Sequence, residues 1–365
     1  MVARFIFCGG GTGGHLFPGI AIAQAIRKKA PGSAILFVGT RRGLEERVLP
    51  LHGFDFRPVK SAGFKNLSLK KKIKALFILP LGILEGMRMI KAFRPNVIIG
   101  LGSYSALPVM IAGILKRIRR VIQEQNSIPG LTNRLLAPFA HKIFISFETT
   151  EAHFPKGKTV LAGNPIREDL CEEENQVKPH DSFHLLVLGG SLGAHFINTL
   201  CMATLPGLLS RYPQLSVTLQ TGERDLKEAS EIFEPFGERV RVEAFITDMK
   251  AVYRWADFVV ARAGATTLAE LAACGLPALF IPFPYAANDH QTENARYYAN
   301  RGGAFFFPQS EITEEIFIEK LTDIITNPER RQSMAGKMKK LGRPRAAEEI
   351  AATLLTLATS AGGLP

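Results

Sequence analysis

Cysteine is scarce in this chain, which contains four among 365 residues. The four lie far apart and form neither a CxxC pair nor a Cys/His cluster: Cys8, Cys171, Cys201 and Cys274. Zinc sites and disulfide scaffolds depend on such spacings, so neither is expected. We expect the cysteines to be small buried apolar residues of a protein in a reducing compartment.

Long apolar runs are also lacking. The longest, residues 75–84, is about half the ~18–20 residues that a membrane span needs, and it contains Pro80 and Gly82. The apolar residues 5–7 run directly into glycines, without the longer apolar stretch of a signal peptide. The sequence therefore predicts neither a signal peptide nor a membrane-spanning helix.

Acidic residues are nearly absent from one segment. Residues 57–120 hold 14 of the 45 lysines and arginines and a single acid, Glu85, so the whole net charge of +12 resides there. The neighbouring side chains are mainly aliphatic and form no nucleic-acid motif, which argues against a nucleic-acid surface. A basic and aliphatic segment favours contact with an anionic membrane surface. The alternative is a solvated basic helix over an ordinary core.

Short apolar runs alternate with helical patterns along both halves of the chain. In the first half the predicted strands are residues 4–8, 34–38, 96–100, 120–123 and 142–146. In the second half they are residues 184–188, 216–220, 240–244, 258–261 and 278–282. Such alternation predicts βαβ units, so the expected fold class is α/β with two Rossmann-like, doubly wound parallel-sheet domains.

A polar stretch without periodicity, residues 171–182, interrupts this alternation and is typical of a linker. The predicted domains are residues 1–164 and 184–342, with a linker at 165–183. The last segment, residues 343–365, contains an apolar helix that either packs back on the first domain or caps the second.

Two similar glycine-rich loops open the two halves, GGGTGGH at residues 9–15 and GGSLGAH at residues 189–195. Each follows a predicted strand and precedes a helix, where backbone N–H groups favour phosphate. Ligands of doubly wound sheets bind beyond the carboxyl ends of the strands. The sequence therefore predicts two domains that face each other across a ligand-binding cleft.

The first loop alone is compatible with a dinucleotide enzyme. An NAD-dependent enzyme would place an acid at the end of its second strand, and none stands there. Arg41 and Arg42 follow that strand instead, so an NADP-dependent oxidoreductase is the alternative. The histidine that closes the first loop, the second glycine loop and the basic segment argue against it.

Two histidines and a serine mark the loops. His15, at a helix start beside an anion-binding loop, is a candidate general base or a donor to a charged oxygen. Ser191 is placed to donate to a phosphate, or to cap its helix. His195 has no evident supporting partner and is expected to be a surface residue or only the start of a helix.

A second group of residues suits a nucleotide sugar. The run RAGATTLAE, residues 262–270, leads from a strand into a helix whose first amides suit a pyrophosphate. Glu270 either accepts the hydroxyls of a ribose or forms a capping box with Thr267. Ile246, after a strand, is expected to lie against a flat base. The polar run NDHQTEN, residues 288–294, is predicted to be a loop that meets sugar hydroxyls or only solvent.

Six segments in order, between about residues 4 and 295, together resemble a known family: GGGTGGHLFPGIAIA, GLGSYSALP, QEQNSIPGLTNRLLA, GNPIR, GGSLGAHFIN and RAGATTLAELAACGLPALFIPFPYAANDHQTENA. The chain is similar to the MurG family within glycosyltransferase family 28. These enzymes transfer N-acetylglucosamine (GlcNAc) from UDP-GlcNAc to undecaprenyl-pyrophosphoryl-muramyl-pentapeptide in peptidoglycan synthesis. The resemblance implies a GT-B fold, with an amino-terminal domain for the acceptor and membrane and a carboxyl-terminal domain for UDP-GlcNAc.

The resemblance also implies roles for individual residues. Glu270 would bind the ribose hydroxyls and Ile246 the uracil. The pyrophosphate would be held by Ser191 and by the amides of Ala265, Thr266, Thr267, Leu268 and Ala269. The GlcNAc would be met by Asn126, Gln291 and the nearby Thr292. Arg167 would lie near the diphosphate. Thr12, Gly13 and Gly14 would lie at the cleft, against a phosphate of the donor UDP-GlcNAc or of the acceptor.

The implied reaction is a single in-line displacement that inverts C1 of the sugar, from an α-linked donor to a β-1,4 product. His15 would take the proton of the acceptor C4 hydroxyl, and helix amides, Ser191 and Arg167 would stabilise the leaving UDP. No DxD-type carboxylate pair is present, so no metal or other cofactor is expected. The expected location is peripheral, on the cytoplasmic face of the bacterial cell membrane. A UDP-GlcNAc 2-epimerase is the alternative on the same fold, and it would have no use for a membrane surface.

Overall fold

A computed structural model describes residues 2–41, 44–61, 69–171, 182–190 and 193–360, with the backbone alone at 69–77 and 171. The chain divides into two compact units, Met1–Arg167 with Pro344–Pro365, and Glu168–Arg343. Within the described ranges, no helix combines the length and the apolar character that crossing a bilayer requires.

The first unit is built on one parallel sheet. Its strands are β1 (Arg4–Cys8), β2 (Ala34–Gly39), β3 (Asp55–Pro58), β4 (Val97–Gly100), β5 (Arg119–Glu124), β6 (Lys142–Ile145) and β7 (Thr159–Leu161). Its helices include α1 (Gly13–Lys29), α2 (Glu45–Val48), α3 (Leu69–Phe93), α4 (Leu107–Leu115) and α5 (Leu131–Leu136). The strand order is β3-β2-β1-β4-β5-β6-β7.

Strand β1 shows how this sheet is covered on both faces. Phe5 and Phe7 belong to one apolar cluster and Ile6 and Cys8 to another, and all four are 0% exposed. Successive side chains of a strand point to opposite faces, so an unbroken apolar run is typical of a strand buried between two layers of helices.

The helix at the end of the chain, α13 (Ala346–Thr359), belongs to the first unit although the second unit precedes it. It packs against α1, and its buried Ile350 and Leu354 join the cluster that contains Phe5. Arg119 in β5 adds a polar contact, because its guanidinium donates to the Ser360 carbonyl at 3.2 Å. The chain terminus therefore contributes to the core beneath the first sheet.

The second unit repeats the architecture. Its strands are β8 (Phe183–Leu188), β9 (Leu215–Gln220), β10 (Val240–Glu243), β11 (Phe258–Ala261), β12 (Ala278–Phe280) and β13 (Ala304–Phe306), in the order β10-β9-β8-β11-β12-β13. Its helices include α6 (His195–Arg211), α7 (Leu226–Phe233), α8 (Met249–Trp255), α9 (Ala265–Cys274), α10 (His290–Ala299), α11 (Glu314–Thr326) and α12 (Pro328–Leu341). All strand pairs in both sheets are parallel.

Three strands are missing from the sequence prediction, and all three lie at sheet edges: β3, β7 and β13. They are three or four residues long and mostly half-buried or exposed. An edge strand is covered less completely than a central one, so it does not need the long apolar run by which the central strands are recognised.

Each sheet has a point at which its strand order reverses. It lies between β1 and β4 in the first sheet and between β8 and β11 in the second. The connections that leave such neighbouring strands run to opposite sides and open a crevice at the carboxyl ends. The two glycine loops follow β1 and β8, so each lies at the crevice of its own unit.

Candidate functional site

The first glycine loop, residues 9–15, turns sharply at the crevice of the first sheet. Gly9, Gly10 and Gly11 have φ angles of +112°, +140° and +90°, which other residues rarely adopt. A Cβ at Gly9 would overlap the carbonyl of Gly102, in the connection that follows β4. The glycines therefore let the loop after β1 lie directly against the loop after β4.

A buried carboxylate fills one side of this loop. Glu45, the first residue of α2, is 1% exposed, and its Oε1 accepts the Gly11 N–H at 2.9 Å. A Cβ at Gly10 or Gly39 would overlap this carboxylate, so both glycines make room for it. The sequence has no acidic residue at the end of β2, but Glu45 of α2 lies against Gly39, the last residue of β2. One loop N–H that was expected to face a phosphate is thus bound within the protein.

His15 lies in the first turn of α1, against Gly102. Its Nδ1 is 3.0 Å from Oε1 of Gln125, the residue that follows β5. A Cβ at Gly102 would come within 3.3 Å of the imidazole, so the absence of a side chain there gives the ring its position. Gln125 is 1% exposed, and the predicted base is thereby held by a buried amide that was not predicted.

Glu124, at the end of β5, fixes the loop that carries Asn126. Its Oε1 accepts the backbone and side-chain N–H groups of Asn126 at 3.0 and 3.4 Å. Its Oε2 accepts from the Gly130 N–H at 3.2 Å and from Asn133 Nδ2 at 2.8 Å. Burial raises the pKa of Glu124, and these hydrogen bonds oppose the rise. Asn126 is thus held at the same sheet edge as His15.

The remaining predicted residues of the first unit lie at the helix start and at the chain crossover. Thr12 is the N-cap residue of α1, and Gly13 and Gly14 are its first two residues. The Thr12 carbonyl accepts the His15 N–H at 3.2 Å, which closes the first turn through the backbone. Arg167 is half-buried at the last position before the second unit.

The second glycine loop is described except for residues 191–192, so the predicted phosphate ligand Ser191 lies outside the described residues. Gln220, at the end of β9, joins this loop to Ile246. Its Nε2 donates to the Gly190 carbonyl at 2.7 Å, and its Oε1 accepts the Ile246 N–H at 3.1 Å. The position predicted to meet the base is therefore tied to the loop predicted to meet the phosphates.

His195, the first residue of α6, has a buried acidic partner. Its Nδ1 lies 3.0 Å from Asp225 Oδ1, and the histidine side chain is 51% exposed whereas the aspartate is 5% exposed. Asn198 Nδ2 donates to the other aspartate oxygen at 2.7 Å. The expectation that His195 has no supporting partner is wrong, because Asp225 is 30 residues away in sequence and only the fold brings the two together.

Helix α9 begins just after β11, at the crevice of the second sheet. Gly264 is its N-cap residue, and the predicted pyrophosphate ligands form its first five positions: Ala265, Thr266, Thr267, Leu268 and Ala269. Glu270 is 9% exposed, and its Oε2 accepts the hydroxyl of Tyr253 at 2.8 Å. Thr267 lies inside the helix and is not its cap, so the capping box with Glu270 is wrong.

The polar run NDHQTEN is predicted to be a loop, and most of it is helical instead, because α10 begins at His290. Gln291 lies in the first turn, where its Oε1 accepts a backbone N–H from Phe283 at 2.9 Å. Thr292 Oγ1 donates to Asp289 Oδ1 at 2.7 Å. Short polar side chains suit a helix start as well as a loop, which explains the error.

A half-buried guanidinium that was not predicted supports the chain before α10. Arg262 donates to the carbonyls of Ile281 and Pro282 at 3.0 and 2.9 Å and to Gln309 Oε1 at 2.9 Å. Burial lowers its pKa to about 10, so it remains protonated at neutral pH. In the sequence, Arg262 is marked by its place as the first residue of the run RAGATTLAE.

Among the cysteines whose side chains are described, Cys8 and Cys201 are buried as expected, whereas Cys274 is only half-buried. Cys8 and Cys201 are fully buried, and burial raises the pKa of both thiols. Among the described residues, no group of three or more histidine, cysteine, aspartate or glutamate side chains could hold a metal ion.

Comparison with family models matches both halves of the chain. Residues 5–145 match the glycosyltransferase family 28 N-terminal domain, and residues 184–350 match the glycosyltransferase family 28 C-terminal domain. A protein of Geobacter sulfurreducens (strain ATCC 51573 / DSM 12127 / PCA) is 42% identical over 95% of this chain and 96% of its own length. It is named UDP-N-acetylglucosamine--N-acetylmuramyl-(pentapeptide) pyrophosphoryl-undecaprenol N-acetylglucosamine transferase. A protein of Myxococcus xanthus (strain DK1622) with the same name is 41% identical over 99% of this chain and 94% of its own length.

Solved structures agree in fold. Acinetobacter baumannii MurG superposes with a TM-score of 0.80 at 27% identity, covering 97% of this chain and 99% of that one. The UDP-GlcNAc 2-epimerase from Neisseria meningitidis, solved with UDP-GlcNAc bound, superposes with a TM-score of 0.69 at 15% identity, covering 98% of this chain and 100% of that one. The second likeness shows the fold alone. The two parallel-sheet units therefore have the predicted GT-B fold.

Proposed function

Because this chain belongs to glycosyltransferase family 28, we propose that it transfers GlcNAc from UDP-GlcNAc to undecaprenyl-pyrophosphoryl-MurNAc-pentapeptide. The acceptor atom is the C4 hydroxyl of MurNAc, and the reaction inverts C1 of the donor. The observation that carries this proposal is a sequence identity of more than 40%, over nearly the whole chain, to proteins named for that transfer.

His15 is the proposed general base. Its position after β1 places it at the crevice where doubly wound sheets bind ligands. Its Nδ1 faces the Gln125 amide oxygen at 3.0 Å, which leaves Nε2 as the ring nitrogen with a lone pair for the C4 proton. The hydroxyl oxygen then attacks C1 in line as the bond from C1 to the UDP oxygen breaks.

The second unit is the proposed donor site. The first amides of α9 and the second glycine loop, with Ser191, meet the pyrophosphate, and Arg167 adds a positive charge near it. Glu270 binds the ribose through a carboxylate that Tyr253 orients at 2.8 Å. Ile246 borders the uracil.

The sugar and the acceptor have their own proposed contacts. The GlcNAc is contacted by Asn126, Gln291 and Thr292, and the acceptor side is lined by Thr12, Gly13 and Gly14. No cofactor takes part in this scheme.

The deciding experiment is transfer of labelled GlcNAc from UDP-GlcNAc to the lipid-linked acceptor. We expect a lipid-linked product with wild-type protein and a loss of about 10²–10⁴-fold in kcat with His15→Ala, the range for a general base. The control is His52→Ala, which removes a half-buried histidine between β2 and β3, away from the crevice loops. Absence of product with wild-type protein, or equal rates with both variants, would refute the proposal.

We further propose that the first unit binds the cytoplasmic face of the cell membrane peripherally. Four large apolar side chains of α4, α5 and the following turn are 52–63% exposed: Leu115, Leu131, Leu135 and Phe139. Arg120 links α4 to the turn that follows α5, because its guanidinium donates to the carbonyls of Gly113 and Phe139 at 3.0 and 3.1 Å. Exposed basic residues lie among them: Lys116, Arg117 and Arg134.

This surface overlaps the end of the predicted basic and aliphatic segment, residues 57–120, and three of its four exposed apolar residues follow that segment in sequence. The segment also exposes Leu81 and Leu84 and includes side chains outside the described residues, so its contact with the membrane stays a prediction. Exposed apolar side chains beside arginine and lysine suit an anionic lipid surface. Burial of the apolar groups in the lipid and attraction between opposite charges then both favour binding.

Sedimentation with anionic vesicles tests the membrane surface. The double variant Leu131→Gln with Leu135→Gln should weaken vesicle binding by about tenfold or more, because two apolar side chains no longer enter the lipid. Leu51→Gln is the matched control, since Leu51 is 84% exposed before the edge strand β3. Equal binding by both variants, or no binding by wild-type protein at low salt, would contradict this surface.

A further inference from the structure

The amide of Gln125 has only one orientation that satisfies its surroundings. Its Nε2 lies 2.8 Å from the carbonyl oxygen of Leu101, which can accept a hydrogen bond but cannot donate one. Nε2 must therefore be the NH₂ end, and Oε1 must be the atom that faces His15 at 3.0 Å. An amide oxygen only accepts, so the hydrogen between the two side chains belongs to His15 Nδ1.

A chain of buried amides holds Gln125 in this orientation. The second hydrogen of its NH₂ group is donated to Gln123 Oε1. Gln123 Nε2 in turn donates to Asn164 Oδ1 at 3.1 Å. Gln123, Gln125 and Asn164 are 0%, 1% and 4% exposed. A flipped Gln125 would set its NH₂ group against His15 and its oxygen against the Leu101 carbonyl, and buried polar groups without partners cost about 1–3 kcal/mol each.

We propose that Gln125 is a positioning residue that fixes His15 in the Nδ1–H tautomer. The hydrogen bond made by one ring nitrogen of a histidine determines which nitrogen carries the proton. With the proton on Nδ1, the lone pair is on Nε2, the opposite edge of the ring. A histidine that donates through one nitrogen to a fixed acceptor and accepts a proton at the other is the arrangement of a general base.

The tautomer itself follows from contacts within the first unit, whereas its use in catalysis rests on the proposed function. Gln125 touches neither reacting atom in this scheme, and it acts through the ring of His15. Loss of its amide should therefore lower kcat and leave the KM for UDP-GlcNAc within about twofold. The expected fall in kcat is about 10–100-fold, a part of the whole contribution of a general base.

Nitrogen NMR on full-length protein with isotope-labelled histidine tests the tautomer without substrate. Spectra are recorded at a pH of about 8–9, above the usual range of histidine titration. In a neutral ring the protonated and unprotonated nitrogens have widely separated chemical shifts. His15→Gln assigns the signal. We expect the proton on Nδ1 in wild-type protein and its transfer, in whole or in part, to Nε2 in Gln125→Met, which keeps the volume and removes the amide.

Gln24→Met is the matched control, because Gln24 contacts Nδ1 of His52 at 3.3 Å on the exposed side of the same unit. It should leave the His15 signal and the transfer rate unchanged. A wild-type His15 with its proton on Nε2 would overturn the proposal, whether or not Gln125→Met folds. The proposal would also be overturned if folded Gln125→Met kept His15 in the Nδ1–H form, or if the control Gln24→Met changed the His15 signal. An Nδ1–H signal in a protein without transferase activity would instead refute the proposed function alone.

Discussion

The two glycine loops occupy equivalent places in the two sheets, yet their histidines have different partners. The first loop follows β1 and leads to His15, whose Nδ1 contacts the amide of Gln125 at 3.0 Å. The second follows β8 and leads to His195, whose Nδ1 contacts the carboxylate of Asp225 at the same distance. A similar sequence pattern at the same point of the same fold thus supports two chemical environments.

The difference suits different steps of one reaction. An amide partner orients a histidine without adding charge, which fits a ring that must begin neutral and accept a proton. A carboxylate partner attracts a protonated ring, and a protonated ring at a helix start attracts an anion. Glu45 adds to the contrast, because it brings a carboxylate into the first loop, where a phosphate would otherwise be favoured. We therefore assign the acceptor hydroxyl to the first loop and phosphate to the second.

The largest expected effect is a difference in kcat and UDP affinity between variants of the two histidines. His15→Ala should abolish most of kcat, by about 10²–10⁴-fold, and leave UDP affinity unchanged. His195→Ala should weaken UDP binding by about tenfold or less and reduce kcat only slightly, since it removes one exposed contact. Calorimetry with UDP and the transfer assay measure both. Loss of UDP binding in His15→Ala with none in His195→Ala would reverse our assignment.

A smaller effect is expected from the carboxylate that distinguishes the first loop. Glu45→Ala removes a buried carboxylate that accepts the Gly11 N–H and should lower the free energy of unfolding by about 1–3 kcal/mol. Denaturant unfolding measures this, and Glu46→Ala, the exposed neighbour, is the control with a change of about 0.5 kcal/mol or less. Equal stability of the two variants would mean that Glu45 does not support the loop.

The smallest effect concerns the acid of the second loop. Asp225→Asn keeps an oxygen near His195 but removes the negative charge, so UDP binding should weaken by about threefold. Asp257→Asn is the control, because Asp257 contacts His184 at 3.3 Å at the opposite end of β8. Both variants are compared by calorimetry with UDP. An affinity that is unchanged, or that rises, in Asp225→Asn would show that the carboxylate does not act through His195.

The central strands and the loops were predictable because their signals are local. Every apolar run of the sequence prediction is a strand in the structure. The edge strands β3 and β7 have interrupted or very short apolar runs, whereas β13 is apolar throughout and was overlooked. The helix start at His290 was missed because polar residues suit both a cap and a loop.

The partners of the candidate functional side chains could not be predicted from local sequence patterns. Gln125 lies 110 residues from His15, and Glu45 lies 34 residues from Gly11. Asp225 reaches His195 from beyond the next strand. Sheet order decides which loops meet, so sequence indicated His15 and the α9 start as sites but not the groups that hold them. The residue types in the loops predict which side chains are candidates for binding and catalysis. The fold determines which groups those side chains contact.

The most direct test of this account is a structure with UDP-GlcNAc and a soluble acceptor analogue bound. We predict the acceptor C4 hydroxyl at hydrogen-bond distance, about 3 Å, from His15 Nε2, with the UDP phosphates at the start of α9 and the second glycine loop. UDP phosphates bound on the amides of residues 9–11, or a C4 hydroxyl that faces a different base, would contradict it.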